Sequence, residues 1–158
     1  MSKIIFRGPA LAIVLGVFLL AGWVSLAGAA ERVIYMQAME PKGTTSASKE
    51  PFPGKTLPKG SGYIIKPPNK AGKWQVSTYI FNPTQVIVNK GEKVVLKILG
   101  INGSKHTVSI ERYAKKPFLI KRGKLTDVSF VADKAGVFRI DCAEHPPSMT
   151  GEIIVLDN

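Results

Sequence analysis

Alternating hydrophobic and polar residues run through the second half of the chain. In the segment EKVVLKIL, residues 92–99, Val94, Leu96 and Ile98 fall on one face and the lysines on the other. Successive side chains of a strand point to opposite faces, so this pattern predicts a half-buried β-strand. Similar short segments, each bounded by turn residues, predict further strands at 32–39, 74–81, 84–89, 106–111, 125–131, 137–142 and 152–156.

These strands follow one another about every eight to twelve residues with no helical periodicity between them, which is typical of an antiparallel β-sandwich. The 158 residues include 15 glycines and 11 prolines, which favour strands and turns over a helical bundle. The hydrophobic fraction of 45% is enough for a packed core. We therefore expect an all-β fold, with a single domain over residues 31–158.

The first thirty residues have the pattern of a targeting segment. A short stretch with two cations precedes an uncharged apolar stretch, residues 9–26, and small residues at 27–30 follow. This layout predicts a signal peptide that is removed after residue 29 or 30. The alternative is an uncleaved membrane anchor through residues 9–26. Both alternatives place the remaining chain in the periplasm or outside the cell.

Residues 40–73 differ in composition from the predicted strands around them. They hold six prolines, five glycines and seven lysines, against only two acidic residues. Proline lacks a backbone N–H and cannot continue a helix or a central strand, so helix is excluded and regular sheet is not expected. We expect an irregular basic insertion on the surface, after a first strand at 32–39 and before a core over 74–158.

The chain has one cysteine and two histidines, which excludes an internal disulfide and any zinc site that needs two thiolates. Cys142, His145 and Met149 share one loop between the last two predicted strands, and His106 begins a strand on its inward face. Two histidines, one cysteine and a weak axial methionine are typical of electron-transfer copper sites. The sequence therefore predicts one copper ion per chain, held by these four residues.

Each of these residues also has an ordinary interpretation. Cys142 alone would be a small buried hydrophobe, His106 a core histidine, Met149 core filler and His145 a loop residue. Their joint arrangement favours the metal site over these separate roles. Glu144, in the same loop, is either an oxygen ligand or, as we expect, a side chain that points to solvent.

The C-terminal part of the chain, residues 74–158, resembles the cupredoxins, the small blue-copper proteins. The segments that carry the resemblance are NPTQVIVNKGEKVVLKIL, SKHTVSI, VSFVADKAGVFRIDCAEHP and MTGEIIVL. The resemblance implies a Greek-key antiparallel β-sandwich with copper near one end, bound by His106, Cys142, His145 and Met149. It also implies an electron port at the edge of His145, within an apolar patch.

Among cupredoxins, the run SFVADKAGVFRIDCAEHP looks most similar to nitrosocyanin-like proteins. The red-copper site of nitrosocyanin has a glutamate where His106 stands here, and a second loop histidine near the place of Met149. This chain therefore combines the ligands of a blue site with a nitrosocyanin-like frame, so the resemblance does not imply red-copper chemistry here.

These patterns predict an extracytoplasmic electron carrier that is not an enzyme. The alternatives are a copper-binding module for delivery, storage or sensing, and a copper enzyme with a red-copper-like site. A thiol catalyst is not expected, because Cys142 ends an inward-facing run and catalysis needs an accessible thiolate of low pKa.

The formal net charge is +11, and residues 112–124 contain six basic residues and no acidic one. Such a patch steers an oppositely charged protein, so we expect a redox partner with an acidic surface. The alternatives are an ordinary solvated basic surface and association with an anionic membrane surface. Nucleic acid is not expected as a partner, because no stacking platform or groove-reading motif is visible. The oligomeric state is left open.

Overall fold

The structure is a computed structural model that describes residues 31–54 and 60–157. The expected targeting segment, residues 1–30, lies outside the described residues. All regular structure in the described ranges is β. The strands are β1 Glu31–Met39, β2 Lys42–Ser46, β3 Tyr63–Lys66, β4 Lys73–Thr78, β5 Ile80–Asn82, β6 Gln85–Asn89, β7 Lys93–Gly100, β8 Lys105–Ile110, β9 Ala114–Lys121, β10 Leu125–Val131, β11 Gly136–Cys142 and β12 Thr150–Leu156. No helix that could cross a membrane occurs in these two ranges.

Two larger sheets form the body of the fold. One has the strand order β10-β7-β1-β5, and the other has the order β6-β12-β11-β8-β9. The pairs β1–β7 and β6–β12 are parallel, and the other neighbouring strands in these sheets are antiparallel. The predicted all-β Greek-key sandwich is confirmed, and the two parallel pairs are the feature that the alternation pattern did not predict.

The core lies between these two sheets. As the alternation predicts, Val94, Leu96 and Ile98 of β7 are buried, and they pack with residues of β11 and β12 such as Ile140 and Ile153. Burial of one such aliphatic side chain contributes about 1.5–3 kcal/mol through the hydrophobic effect. The outer faces carry the charged residues of the same strands, so sequence period and burial agree.

The insertion is more regular than its composition predicts: the expectation of an irregular segment over 40–73 is wrong for 42–46 and 63–66, which are strands. A third sheet, the insertion sheet, has the order β2-β4-β3 and joins two strands of the insertion to β4. The prolines flank its short strands instead of interrupting them: Pro41 precedes β2 directly and Pro67 follows β3 directly. At these positions the missing N–H removes no hydrogen bond from the ladder.

Two other segments depart from the predicted elements. The predicted strand 74–81 is divided at Tyr79 into β4, which belongs to the insertion sheet, and β5, which pairs with β1. The basic segment 112–124, for which no strand was predicted, contains the eight-residue strand β9 at the edge of its sheet. Its lysines break the hydrophobic alternation that predicts a strand, and an edge strand tolerates them because one face and one side are exposed to water.

Candidate metal centre

The predicted ligands come together at one end of the sandwich. His106 is the second residue of β8 and Cys142 is the last residue of β11, and these two strands are antiparallel neighbours. Both side chains face the core, with exposed fractions of 0% and 4%. The predicted inward face of each strand is thus confirmed, and it aims an imidazole and a thiol at the same point.

The ligand loop, residues 143–149, supplies the other two predicted ligands. The N–H of Met149 donates to the carbonyl of His145 (3.1 Å), and the N–H of Cys142 donates to the carbonyl of Met149 (3.2 Å). These bonds fold the loop back on itself and fix the spacing of the three residues. The side chain of Met149 is fully buried in the core cluster.

Three donor atoms form a compact triangle. The Nδ1 atoms of His106 and His145 are 3.2 Å apart, and the Sγ atom of Cys142 lies 3.4 Å from Nδ1 of His145 and 3.9 Å from Nδ1 of His106. The centre of this triangle is about 2 Å from each atom, close to the bond lengths from a metal ion to nitrogen, about 2.0 Å, and to sulfur, about 2.3 Å. The residues therefore fit a single metal ion. Ligation by each of the four residues stays a prediction, as does the axial role of Met149.

A backbone carbonyl orients His106. Its Nε2 atom lies 3.0 Å from the carbonyl oxygen of Asn102, which can only accept a hydrogen bond. The proton therefore belongs on Nε2, and the lone pair of Nδ1 faces the triangle. The side chain of Asn102 is held in turn by both backbone polar groups of Glu40, at 2.6 and 2.9 Å.

Gly103 allows the loop to approach this imidazole closely. Its φ is +83°, and a Cβ atom at this position would lie 2.8 Å from Nε2 of His106 and 3.2 Å from Cε1 of Tyr79. A larger residue would clash with both rings and would also be strained. The carbonyl of Gly103 accepts a hydrogen bond from Nε of Arg122 (2.9 Å), which holds the loop in place from outside.

Tyr79 covers both histidines. Its ring stacks on His145 with the ring centroids 3.6 Å apart and the planes 15° from parallel, and it meets His106 edge-on at 5.8 Å. Tyr79 is half-buried and is the single residue between β4 and β5. The stacking limits the orientations that are open to the His145 ring.

Glu144 does not point to solvent, so the sequence expectation for it is wrong. Its carboxylate accepts hydrogen bonds from the N–H and the hydroxyl of Thr107, each at 2.5 Å, and the Cys142 thiol donates to it at 3.5 Å. Burial acts to raise the pKa of Glu144, but the hydrogen bonds from Thr107 outweigh it and hold the pKa below its usual value. Glu144 ties the ligand loop to β8 beside His106.

Burial controls the protonation of the ligands. It raises the pKa of the Cys142 thiol to about 11, and the nearby Glu144 carboxylate adds to the effect. Burial also lowers the pKa of His145, with a further contribution from the neighbouring His106. Without a metal the thiol is therefore protonated at neutral pH and the His145 imidazole is neutral. A cation that replaces the thiol proton relieves this penalty.

The insertion holds the ligand loop from the side of His145. The N–H groups of Ser61 and Gly62 donate to the carbonyl of Pro146 at 3.0 and 2.9 Å, and the Ser61 hydroxyl donates to the carbonyl of Glu144 at 2.5 Å. The Ser148 hydroxyl donates to the carbonyl of Gly62 at 2.5 Å. The insertion therefore supports the candidate site through these hydrogen bonds.

The sequence reasoning missed the residues that orient the ligands, namely Asn102, Tyr79 and Thr107. Thr107 follows the predicted ligand His106 directly, and this position next to a ligand could have indicated a role in the site. Asn102 lies four residues before His106 in a glycine-rich turn, and its side chain acts on Glu40, which is remote in sequence. Tyr79, which stacks on His145, is far from it in the sequence, and no motif around either residue indicates the contact.

No protein-family model matches the sequence, and no curated protein matches it either. Solved structures do match it. A multicopper oxidase, mgLAC, aligns with 82% of this chain at a TM-score of 0.52 and 18% identity. The copper-containing nitrite reductase of Thermus scotoductus SA-01 gives a TM-score of 0.51 at 20% identity, and the copper nitrite reductase of Nitrosomonas europaea gives 0.51 at 18%. The fold is cupredoxin-like.

The match covers only part of those larger proteins. This chain spans 40% of the oxidase chain, 28% of the Thermus reductase and 42% of the Nitrosomonas reductase. At such identities the likeness establishes the fold, and the argument for a metal rests on the donor atoms of this chain.

Proposed function

We propose that this protein is an extracytoplasmic mononuclear copper protein that carries electrons. The observation that supports the proposal is the triangle of two Nδ1 atoms and one Sγ atom, with a centre about 2 Å from each. Thiolate and imidazole are the donor types that copper prefers, and Met149 is the candidate weak fourth ligand. When bound, copper supplies a one-electron couple between Cu(I) and Cu(II).

The residues of this chain hold the site in one geometry. Asn102 fixes the tautomer and ring orientation of His106, Tyr79 packs flat on His145, and Glu144 joins the ligand loop to β8. Such support limits the rearrangement that accompanies electron transfer. The apolar neighbours of Cys142 in the core exclude water from the thiol.

Burial favours electron transfer over bond chemistry. His106 and Cys142 are almost completely buried, and the ring of His145 is covered by Tyr79. A substrate would need an open position at the metal, whereas an electron does not. Copper delivery or storage would need ready release of the ion, which the buried thiol opposes. The carrier is therefore our proposal, ahead of the enzyme and the delivery module.

The cellular location and the redox partner of the protein are part of the same proposal. The basic start, apolar stretch and small residues of positions 1–30 support export to the periplasm or beyond. The excess of basic residues supports a redox partner protein with an acidic surface. Fractionation of the cells that make the protein, with N-terminal sequencing of the product, tests both the location and the cleavage.

Titration of the purified chain with Cu(II) tests the proposed function. We expect one copper ion per chain and an intense thiolate-to-copper absorption band, and we expect Cys142→Ser to remove that band. A colourless protein that binds zinc as well as copper would contradict the carrier. A red rather than a blue product would mean that Glu144 or water coordinates the ion strongly.

A further inference from the structure

The structure separates the basic run 112–124 into two ends of the molecule. Strand β9 carries Lys115 and Lys116 near its start, beside the end of β8, and it carries Lys121 at its other end, opposite Lys105. His106 is the residue next to Lys105 and pairs with Ile120. Only the second group of cations therefore lies at the metal end of the sandwich.

The cations at the metal end form what we call the basic rim, which consists of Lys105, Lys121, Arg122 and Lys124. All four are exposed. Among the described residues, no carboxylate forms an ion pair with any of them. By contrast, Arg112 at the far end makes two hydrogen bonds to the carboxylate of Asp133, at 2.8 and 2.6 Å. The rim is therefore a group of four exposed cations at the metal end whose charge is free to act on a partner.

Two acidic residues that hold parts of the candidate site, Glu40 and Glu144, do not offset this charge outward. Glu40 is buried and forms an ion pair with Lys42 at 3.0 Å. Glu144 is engaged by both polar groups of Thr107. Each carboxylate is satisfied inside the molecule, so a docking protein would meet the cations of the rim.

The rim is connected directly to the candidate ligands. Arg122 holds the carbonyl of Gly103, the preceding residue Asn102 accepts the hydrogen bond of His106, and Tyr79 lies against Gly103 while it stacks on His145. A protein seated on the rim would therefore lie one loop or one aromatic ring away from both imidazoles.

We propose that the basic rim, together with Tyr79, is the docking surface for an acidic electron-transfer protein. This inference rests on the proposed function and gives it a place on the molecule. In the exchange one electron leaves or enters the bound copper and the partner's cofactor changes by one electron in the opposite sense, while no bond forms or breaks. The unpaired charge steers the encounter, and Tyr79, which covers the imidazole rings, provides the contact.

The test compares two variants of equal charge. Lys121→Glu with Lys124→Glu changes the rim, and Lys115→Glu with Lys116→Glu makes the same change in net charge at the far end of the same strand. Binding of a fluorescein-labelled oligoglutamate peptide is measured by fluorescence polarisation, with and without copper, at several salt concentrations. We expect the rim variant to lose about tenfold in affinity and the far-end variant less than about twofold, with both differences shrinking as salt is raised.

Equal losses in the two variants would overturn the proposal, because net charge alone would then explain binding. The rim variant losing affinity for phosphatidylglycerol vesicles, with oligoglutamate binding intact, would also overturn it in favour of a lipid surface. The absorption band of copper is recorded for each protein. A wild-type chain without the band contradicts the electron carrier, whereas an intact band with equal losses contradicts only the docking surface.

Discussion

The rings of Tyr79 and His145 lie face to face, 3.6 Å apart between centroids. Tyr79 stands between a strand of the insertion sheet and a strand of the sandwich, and His145 stands in the ligand loop. The contact therefore joins the two parts of the fold at a candidate ligand. It is the only aromatic stack on His145 among the residues that the structure describes.

Replacement of Tyr79 by leucine removes this stack and leaves the His145 ring less constrained. We expect the free energy of unfolding of the metal-free protein to fall by about 1 kcal/mol. We also expect the copper absorption band to broaden or shift. Urea unfolding and visible spectroscopy measure the two effects. Tyr35→Leu is the control, since Tyr35 is 67% exposed and should change neither quantity.

Met149→Leu keeps the buried volume of the side chain and removes the thioether. We expect the variant to bind copper and to have a reduction potential that is higher by tens of millivolts, because the electron-poor Cu(II) state loses a weak donor. Cyclic voltammetry of both proteins measures the difference. Complete loss of copper would instead identify Met149 as essential for binding, and an unchanged potential would exclude it as a ligand.

The close approach of Gly62 to the ligand loop can be tested by one added carbon. A Cβ atom at this position would collide with the Ser148 hydroxyl and with the carbonyl of His145. We expect Gly62→Ala to destabilise the protein by about 1–3 kcal/mol and to alter the copper spectrum, since the loop must move. Thermal unfolding and visible spectra are the measurements.

Gly43→Ala is the matched control for that substitution. Gly43 lies in β2, and its Cβ would be 3.7 Å from Cγ1 of Val76, an ordinary van der Waals distance. Similar losses in the two variants would mean that the effect of alanine does not depend on the close approach to the ligand loop. The specific support of the ligand loop by Gly62 would then be wrong.

The metal-free protein should lose stability at alkaline pH through Cys142. Burial raises the pKa of the thiol from 9.0 to about 11 in the folded state, so the unfolded chain releases this proton first. The contribution to stability is complete below pH 9 and disappears as the pH rises through 11, with a size on the order of 2 kcal/mol. Cys142→Ala lacks this titration.

Urea unfolding of both proteins between pH 8 and pH 11 isolates the contribution from the other titrating groups. We expect the stability difference between wild type and Cys142→Ala to fall across this range. A difference that stays constant with pH would contradict the buried neutral thiol.

The sequence predicts the sandwich because its strands are short and amphipathic, and the alternating pattern of each strand lies within its own residues. The inward positions of His106 and Cys142 follow from the two-residue period of β8 and β11, and both are buried as predicted. The ligand loop was also visible, since three potential ligands fall within eight residues. These features depend on nearest neighbours along the chain, which is the information that periodicity carries.

What the sequence did not predict depends on contacts between distant segments. Strand β2 is stabilised by β4, which lies about 30 residues further along the chain. The proline content of the segment argued against a strand there, but the prolines lie outside the residues that are hydrogen-bonded in the sheet. Glu144 turns inward because Thr107, in strand β8, offers two hydrogen-bond donors to its carboxylate. Neither donor could be inferred from the loop itself, where a glutamate beside prolines is ordinarily solvated.

The insertion sheet also limits how the site can be moved to another protein. Ser61, Gly62 and Tyr79 belong to that sheet or adjoin it, and they hold the ligand loop through its backbone and through His145. A transplant of β8, β11 and the ligand loop alone would carry the donor atoms without the parts that keep them in place. The smallest portable unit therefore begins before β2, and we expect the insertion and the sandwich to melt in one cooperative transition.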